Sequence, residues 1–159
     1  MNQSYKNNIW KLYLITFFSS LHFFFFFLIS FFLYWVKLTV TQVMFIQSWF
    51  MLWIFILEIP SGALADRFGR KTTLILAAIA GFLGPLIYSS SPNFIVFLIG
   101  EMFFAIFASM SSGALEAIVY DTLKAGNKTK SSKKIFGRLE SFKLAGILIS
   151  APIGILIAY

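Results

Sequence analysis

The chain has 159 residues, of which 59% are hydrophobic and 12% are charged, and its formal net charge at pH 7 is +7. A soluble domain carries about 25% charged residues, so this composition, with a mean hydropathy of +0.85, is that of a membrane protein. Cysteine is absent and His22 is the only histidine, which excludes disulfides, thiol catalysis and multi-histidine metal sites. The sequence also lacks a phosphate-binding loop and a nucleophile with a neighbouring base, so we expect neither an enzyme nor a metal or cofactor site.

Long apolar segments follow one another along the chain, and a helix needs about 20 such residues to cross a bilayer. We therefore predict an all-α, polytopic membrane helix bundle with about five transmembrane helices. The first segment is too long for a cleaved signal peptide, so it is predicted to be a retained helix. The predicted helices cover residues 10–35, 43–63, 72–88, 94–119 and 142–159.

Basic residues are confined to alternate loops. All lysines and arginines except Lys37 lie before or at the start of the first segment, between the second and third, or between the fourth and fifth and at the start of the fifth. The positive-inside rule assigns that side to the cytoplasm, which predicts a multi-pass protein of the cytoplasmic membrane with a cytoplasmic N-terminus. This distribution explains the net charge without a nucleic-acid partner, and it places the lysines of residues 124–134 near anionic lipid headgroups. Trp10, Trp35 and Tyr88 lie at segment ends, as interfacial aromatic residues do.

Small residues recur at four-residue spacing in the last three segments. This spacing places them on one face of a helix, where they let neighbouring backbones approach closely. We therefore predict close helix packing along these faces. The residues are Ala77, Ala80, Gly81 and Gly84 in the third segment, Ala105, Ser109 and Gly113 in the fourth, and Gly146, Ser150, Gly154 and Ala158 in the fifth.

The charged stretch SGALADRFGRK, at residues 61–71, separates the second and third apolar segments. A minimal loop between two membrane helices needs only a glycine and a charge or two, but this stretch fits the longer pattern G-x-L-A-D-R-x-G-R-K. The pattern resembles the signature of the major facilitator superfamily, which lies in the loop between the second and third helices of that fold. Two neighbouring stretches, LTVTQVMFIQSWF…LEIPSG and SGALEAIVYDTLK, look like one branch of the same superfamily.

The resemblance implies a secondary transporter of a small solute, in which two six-helix halves rock about a central site to give alternating access. In the family this loop is part of a cytoplasmic gate. Carried over, Asp66, Arg70 and Asp121 form a charge relay, with Glu116 as an alternative partner, and Asp66 also faces a helix terminus of the other half. We expect the glycines to allow a tight turn and a close approach of the second and third helices. The expected gate residues are Gly62, Asp66, Arg67, Gly69, Arg70, Lys71, Glu116 and Asp121.

Four polar residues within the apolar segments are candidates for binding substrate or a proton, because an ionisable group at the centre of a membrane helix costs about 2.5–3.5 kcal/mol. His22 either lines the central cavity or is hydrogen-bonded between helices. Gln47 and Glu58 share one face of the second helix, and Glu58 is either protonated in the membrane or braces the charged loop. Glu101 either takes up a proton or lies solvated at a cavity mouth.

The matched pattern covers about five helices of the N-terminal half of such a transporter. The apolar stretch 144–159 is short of a full crossing, so we expect a partial N-terminal domain over residues 1–159 whose last helix is truncated. Such a chain lacks the C-terminal half and is expected not to transport solute by itself. Two alternatives stay open: a half-transporter that pairs with itself or with a second chain, and a membrane scaffold or regulatory subunit.

Overall fold

The computed structural model describes residues 3–127 and 131–158, and it consists of helices joined by short connections. A 3-10 turn at Phe23–Phe26 and a π-helical turn at Phe31–Trp35 flank the short second helix. The α-helices are α1 (Gln3–Ser19), α2 (Leu28–Ser30), α3 (Val40–Phe68), α4 (Arg70–Ser90), α5 (Phe94–Ala125) and α6 (Ser132–Ala158).

Five stretches of the described chain are long and apolar enough to cross a membrane, which confirms the predicted all-α membrane fold. Many large apolar side chains on their surface are exposed, such as Phe55 at 74% and Ile59 at 84%, as lipid-facing positions require. The stretches are Asn8–Trp35, Val40–Phe68, Arg70–Ser90, Phe94–Ala125 and Ser132–Leu156.

The first stretch is broken, although the sequence predicts one continuous helix over residues 10–35. Helix α1 ends at Ser19, and His22 has a non-helical backbone with φ −99° and ψ 67°. The Ser20 hydroxyl donates to the carbonyl oxygen of Thr16 at 2.7 Å, and the Ser20 carbonyl oxygen accepts a bond from the His22 backbone N–H at 3.0 Å. Such bonds from serine and threonine compete with the helical backbone and bend it. His22 therefore lies in a break and not in mid-helix.

The other helices extend beyond the apolar segments that predicted them. Helix α6 starts at Ser132, ten residues before the predicted start at 142, because helical structure continues into the charged interface. Helix α3 starts with a capping box: the Gln42 backbone N–H donates to the Thr39 hydroxyl oxygen at 3.3 Å, and the Thr39 N–H donates to Gln42 Oε1 at 2.9 Å. Tyr159, at the end of the last predicted helix, lies outside the described residues.

The chain divides into two compact units, and α5 contributes to both. One unit combines residues 1–29 with 118–159, and the other consists of residues 30–117. In the first unit, a methyl group at Gly146 would lie 2.7 Å from the Phe17 carbonyl oxygen, and one at Gly154 would overlap the Phe23 carbonyl oxygen. These contacts advance in the same order along both partners, so α1 and α6 run parallel. The predicted small-residue packing of the fifth segment is confirmed at Gly146, Ser150 and Gly154, while the side chain of Ala158 lies outside the described part of the chain.

In the second unit, the small residues of α4 form the face that packs against α5. Ala77 is 1% exposed. A methyl group at Gly81 would lie 2.8 Å from the Phe107 ring, and one at Gly84 would lie 2.9 Å from the Phe104 ring. A methyl group at either position would have to displace one of these rings, so the two glycines make room on α4 for the aromatic side chains of α5.

Candidate functional site

The junction between α3 and α4 consists of one residue, Gly69. Its φ of +86° and ψ of 145° lie in a region that is essentially reserved for glycine. Its carbonyl oxygen accepts hydrogen bonds from both the backbone N–H and the hydroxyl of Thr73, each at 3.1 Å. These two bonds hold the first turn of α4, so the predicted tight turn is made by Gly69.

Gly62 has a different environment from the one expected. It lies within α3, and a methyl group built on it would have no atom within 4 Å in the part of the chain that the structure describes. A close approach of α3 and α4 at Gly62 would place atoms of α4 against this position. The described residues show none there, so the expectation that Gly62 permits such an approach is wrong within this part of the chain.

Gly69→Ala should lower the free energy of unfolding by about 1–3 kcal/mol, since alanine at this φ and ψ is strained. Gly62→Ala is the matched control; it should be neutral or stabilising by up to about 1 kcal/mol, because alanine is the better helix former and its methyl group meets open space. Unfolding of the purified chain in mixed micelles, followed by circular dichroism, measures both. Equal losses for the two variants would contradict the assigned role of Gly69.

Arg70 connects this junction to α5. Its side chain is half-buried, and Nη1 donates to the backbone carbonyl oxygen of Ala117 at 2.5 Å. A charged donor makes this bond stronger than a bond between neutral groups. The contact fixes the start of α4 beside the part of α5 that carries Glu116, which immediately precedes Ala117 and is exposed. Asp121 follows Ala117 by four residues in α5 and is also exposed.

The other charged residues of the junction are open to the surroundings. Asp66 is exposed, and no hydrogen bond or ion pair of its carboxylate is seen within residues 3–127 and 131–158. The Arg67 guanidinium lies 5.6 Å from the centre of the Phe68 ring, where it makes a cation–π contact. Lys71 is exposed. The junction therefore presents an exposed acidic group beside a basic group that is already anchored.

Three of the four polar candidates in the membrane segments are not brought together by the structure. His22 is exposed, with Nδ1 3.0 Å from the Ser20 carbonyl oxygen of its own loop. Gln47 is half-buried in α3, and Glu58 is exposed in the same helix. In the described ranges, no three histidine or acidic side chains come close enough to hold a metal ion.

Glu101 is the buried member of the set. Its side chain is 5% exposed, so it does not lie at a solvated mouth, and its Oε1 accepts a hydrogen bond from the hydroxyl of Tyr88, which is 8% exposed. Both residues belong to the second unit, Glu101 in α5 and Tyr88 in α4. This is a carboxyl group enclosed between two membrane helices with a polar partner of its own.

Aromatic rings surround this pair. The Tyr88 ring centroid lies 5.0 Å from that of Phe97, 5.5 Å from Phe104 and 6.0 Å from Phe32. Gly100 gives the Tyr88 ring its space, since a methyl group there would overlap the ring. The position of Tyr88 at a segment end predicts an interfacial residue and not this buried one. The only signal of burial is that Tyr88 follows Gly84 by four residues and so continues the small-residue face of α4.

Comparison with known proteins adds a family match. The sequence model of the Major Facilitator Superfamily matches residues 9–159. An "Uncharacterized transporter" of Buchnera aphidicola subsp. Schizaphis graminum (strain Sg) is 34% identical over 102 residues, which are 62% of this chain and 24% of that protein. The matched part thus spans about a quarter of the relative's length. No solved structure matches the chain.

Proposed function

Because this chain belongs to the major facilitator superfamily, a family of transporters, we propose that it forms part of the N-terminal half of a secondary active transporter. The transporter moves a small solute across the cytoplasmic membrane by alternating access. The observation that supports this most is the family signature at a glycine-only helix junction, which Arg70 ties to α5 through the Ala117 carbonyl oxygen. A loop that served only to reverse the chain would need neither the glycine-only junction nor the hydrogen bond from Arg70 to the Ala117 carbonyl oxygen.

In this proposal the α3–α4 junction is one side of a cytoplasmic latch. Arg70 and Asp66 are its first two members, and Asp121 is the third by resemblance to the family, with Glu116 as the alternative. The exposed Asp66 carboxylate suits a partner beyond the described residues, namely the positive end of a helix of the other half. Contacts present in one state and absent in the other shift the balance between the two states by about 1–3 kcal/mol.

The remaining helices are supplied, in this proposal, by further sequence or by a partner chain, since the matched residues cover only 24% of the Buchnera relative. Crosslinking in native membranes separates the alternatives. A partner rich in membrane helices, or a second copy of this chain, supports a half-transporter. An unrelated partner that does not span the membrane favours a scaffold or regulatory subunit instead.

The function is tested with membrane vesicles that contain the chain together with the partner that crosslinking has identified, without crosslinker. The vesicles are given a mixture of isotope-labelled small solutes, and mass spectrometry measures which of them accumulate inside. Accumulation of at least one solute above its external concentration is the expected result, with vesicles that contain either component alone as controls. If no solute accumulates although the complex forms, the transport proposal is wrong.

A second proposal concerns energy coupling: Glu101 carries the proton that drives uptake. Its buried position with Tyr88 as its polar partner favours this, since ionisable residues inside membranes often form proton relays. Glu101→Gln should abolish accumulation driven by a pH gradient while exchange of labelled for unlabelled solute continues. Glu140→Gln, which alters an exposed carboxylate 3.0 Å from Lys143 Nζ, is the control and should retain both activities. Gradient-driven accumulation by the Glu101 variant would refute proton carriage by this residue.

A further inference from the structure

Aromatic side chains of α1 and α6 meet where the apolar segments predicted from residues 10 and 142 begin, in the unit formed by residues 1–29 and 118–159. The Trp10 ring meets the Phe142 ring edge-on with centroids 5.9 Å apart, and the Phe142 ring stacks on Tyr13 with centroids 5.1 Å apart and planes 6° apart. Trp10 remains 55% exposed. Because α1 and α6 run parallel, this cluster lies at the same end of both helices. Amphipathic rings in this position are typical of the headgroup level of a membrane.

Exposed basic side chains stand around the aromatic cluster. Lys11 adjoins Trp10 in α1, and Arg138 precedes Phe142 by four residues, so that Arg138 and Phe142 share a face of α6. Lys133, Lys134 and Lys143 of α6 are exposed as well. The sequence of α1 contains no acidic residue, and that of α6 contains only Glu140, whose Oε1 lies 3.0 Å from Lys143 Nζ. The part of α1 and α6 around the aromatic cluster therefore carries a clear excess of positive charge.

We propose that Trp10, Lys11, Arg138, Phe142 and Lys143 form a binding surface for the headgroup of an anionic phospholipid. The rings fix the depth of the surface at the interface, and Lys11 and Arg138 are at the level of the lipid phosphates. Arginine binds phosphate through two parallel hydrogen bonds, and lysine adds a point charge. Basic residues next to a membrane attract anionic lipids, and the attraction is screened by salt.

This inference goes beyond the proposed transport function and does not depend on it. A topological role for the charges would need only that they lie on one side of the membrane, at any depth. A headgroup site needs them beside aromatic rings, and in this unit Lys11 adjoins Trp10 while Arg138 shares a face of α6 with Phe142. Residues 128–130 of the lysine-rich loop lie outside the described residues, and the proposed surface does not include them.

Trp10 fluorescence tests the proposal in vesicles of phosphatidylcholine with a minor fraction of phosphatidylglycerol. Trp35, Trp49 and Trp53 are replaced by Phe, and either the neutral or the anionic lipid carries brominated chains that quench fluorescence on contact. At the same mole fraction of brominated lipid, brominated phosphatidylglycerol should quench Trp10 fluorescence more strongly than brominated phosphatidylcholine. Lys11→Gln combined with Arg138→Gln should reduce the preference by at least about fivefold. Lys37→Gln is the control, since Lys37 is exposed in the other unit and should change nothing.

Spin-labelled lipids provide a second measurement that leaves all four tryptophans in place, which matters because Trp49 Nε1 donates to the Leu98 carbonyl oxygen at 3.0 Å. The motionally restricted fraction should be larger for spin-labelled phosphatidylglycerol than for spin-labelled phosphatidylcholine, and high salt should remove the difference. The proposal would be overturned if the restricted fractions of the two lipids were equal. It would also be overturned if Lys37→Gln reduced the preference as much as Lys11→Gln combined with Arg138→Gln. Displacement of phosphatidylglycerol by low-millimolar inorganic phosphate would overturn it too, in favour of a soluble anion.

Discussion

Asp66→Asn is expected to lower the initial rate of solute uptake roughly tenfold, the effect of losing a coupling of about 1–3 kcal/mol between two states. The substitution keeps the size of the side chain and removes its charge, so the latch loses the attraction that favours its closed state. Arg70→Ala should have an effect of similar size, because it also removes the donor to the Ala117 carbonyl oxygen. Uptake into vesicles that contain the complete transporter, normalised to protein abundance, measures both.

Lys71→Ala is the matched control for this pair. It removes one charge from the same junction, but Lys71 is exposed and lies outside the proposed latch. Its uptake rate should stay within about twofold of the parent, as surface substitutions usually change free energies by less than about 0.5 kcal/mol. Similar losses for all three variants would show that only the total charge of the junction matters, and the latch would then be wrong.

Tyr88→Ala should lower the free energy of unfolding by about 3–5 kcal/mol, the usual cost of removing a buried aromatic ring. The ring is 8% exposed and in contact with Phe32, Phe97 and Phe104, so its loss leaves a cavity within the second unit. Tyr34→Ala is the control, because Tyr34 is 77% exposed in the same unit, and its loss should be within about 0.5 kcal/mol of zero. Denaturation in mixed micelles compares the two.

The hydrogen bond between Tyr88 and Glu101 can be separated from the packing of the ring. Tyr88→Phe keeps the ring and removes the donor, so it should cost about 1–3 kcal/mol. Glu101→Gln keeps an acceptor oxygen and should cost less. In the double variant the two effects should not add, since both act on one bond. Additive effects would mean that the pair contributes no coupling to stability.

The fold class could be predicted from the sequence because crossing a membrane leaves a strong compositional signal. The break between the second and third helices was also predictable, since a charged stretch containing Gly69 separates two apolar runs, although α3 continues to Phe68, beyond the predicted end at 63. Helix ends were predicted less well, because an apolar window marks the membrane and not the helix. Helix α6 therefore starts at Ser132, well before its apolar part.

The break at His22 and the burial of Tyr88 were not predictable in the same way. Hydropathy treats the aromatic run after His22 like any other apolar stretch. The break depends instead on two local hydrogen bonds, from the Ser20 hydroxyl to the Thr16 carbonyl oxygen and from the His22 backbone N–H to the Ser20 carbonyl oxygen. Tyr88 lies at a helix end, where aromatic residues usually face lipid headgroups. Its burial depends on space left by Gly100 on another helix, and one sequence does not show which residues meet across helices.

In the proposed mechanism the α3–α4 junction opens and closes at the cytoplasmic face, and thiol labelling tests this movement without knowledge of the solute. The chain has no cysteine, so Thr72→Cys, at an exposed position in the first turn of α4, introduces the only reactive thiol in this chain. A membrane-impermeant maleimide is applied to the cytoplasmic face of vesicles that contain the complete transporter. We expect faster labelling when Asp66→Asn is added, because the latch then stays open for longer, and unchanged labelling with Lys71→Ala. Opening and closing at this face would be contradicted by equal labelling rates for Thr72→Cys alone, with Asp66→Asn and with Lys71→Ala. Labelling only from the opposite face of the membrane would contradict it too.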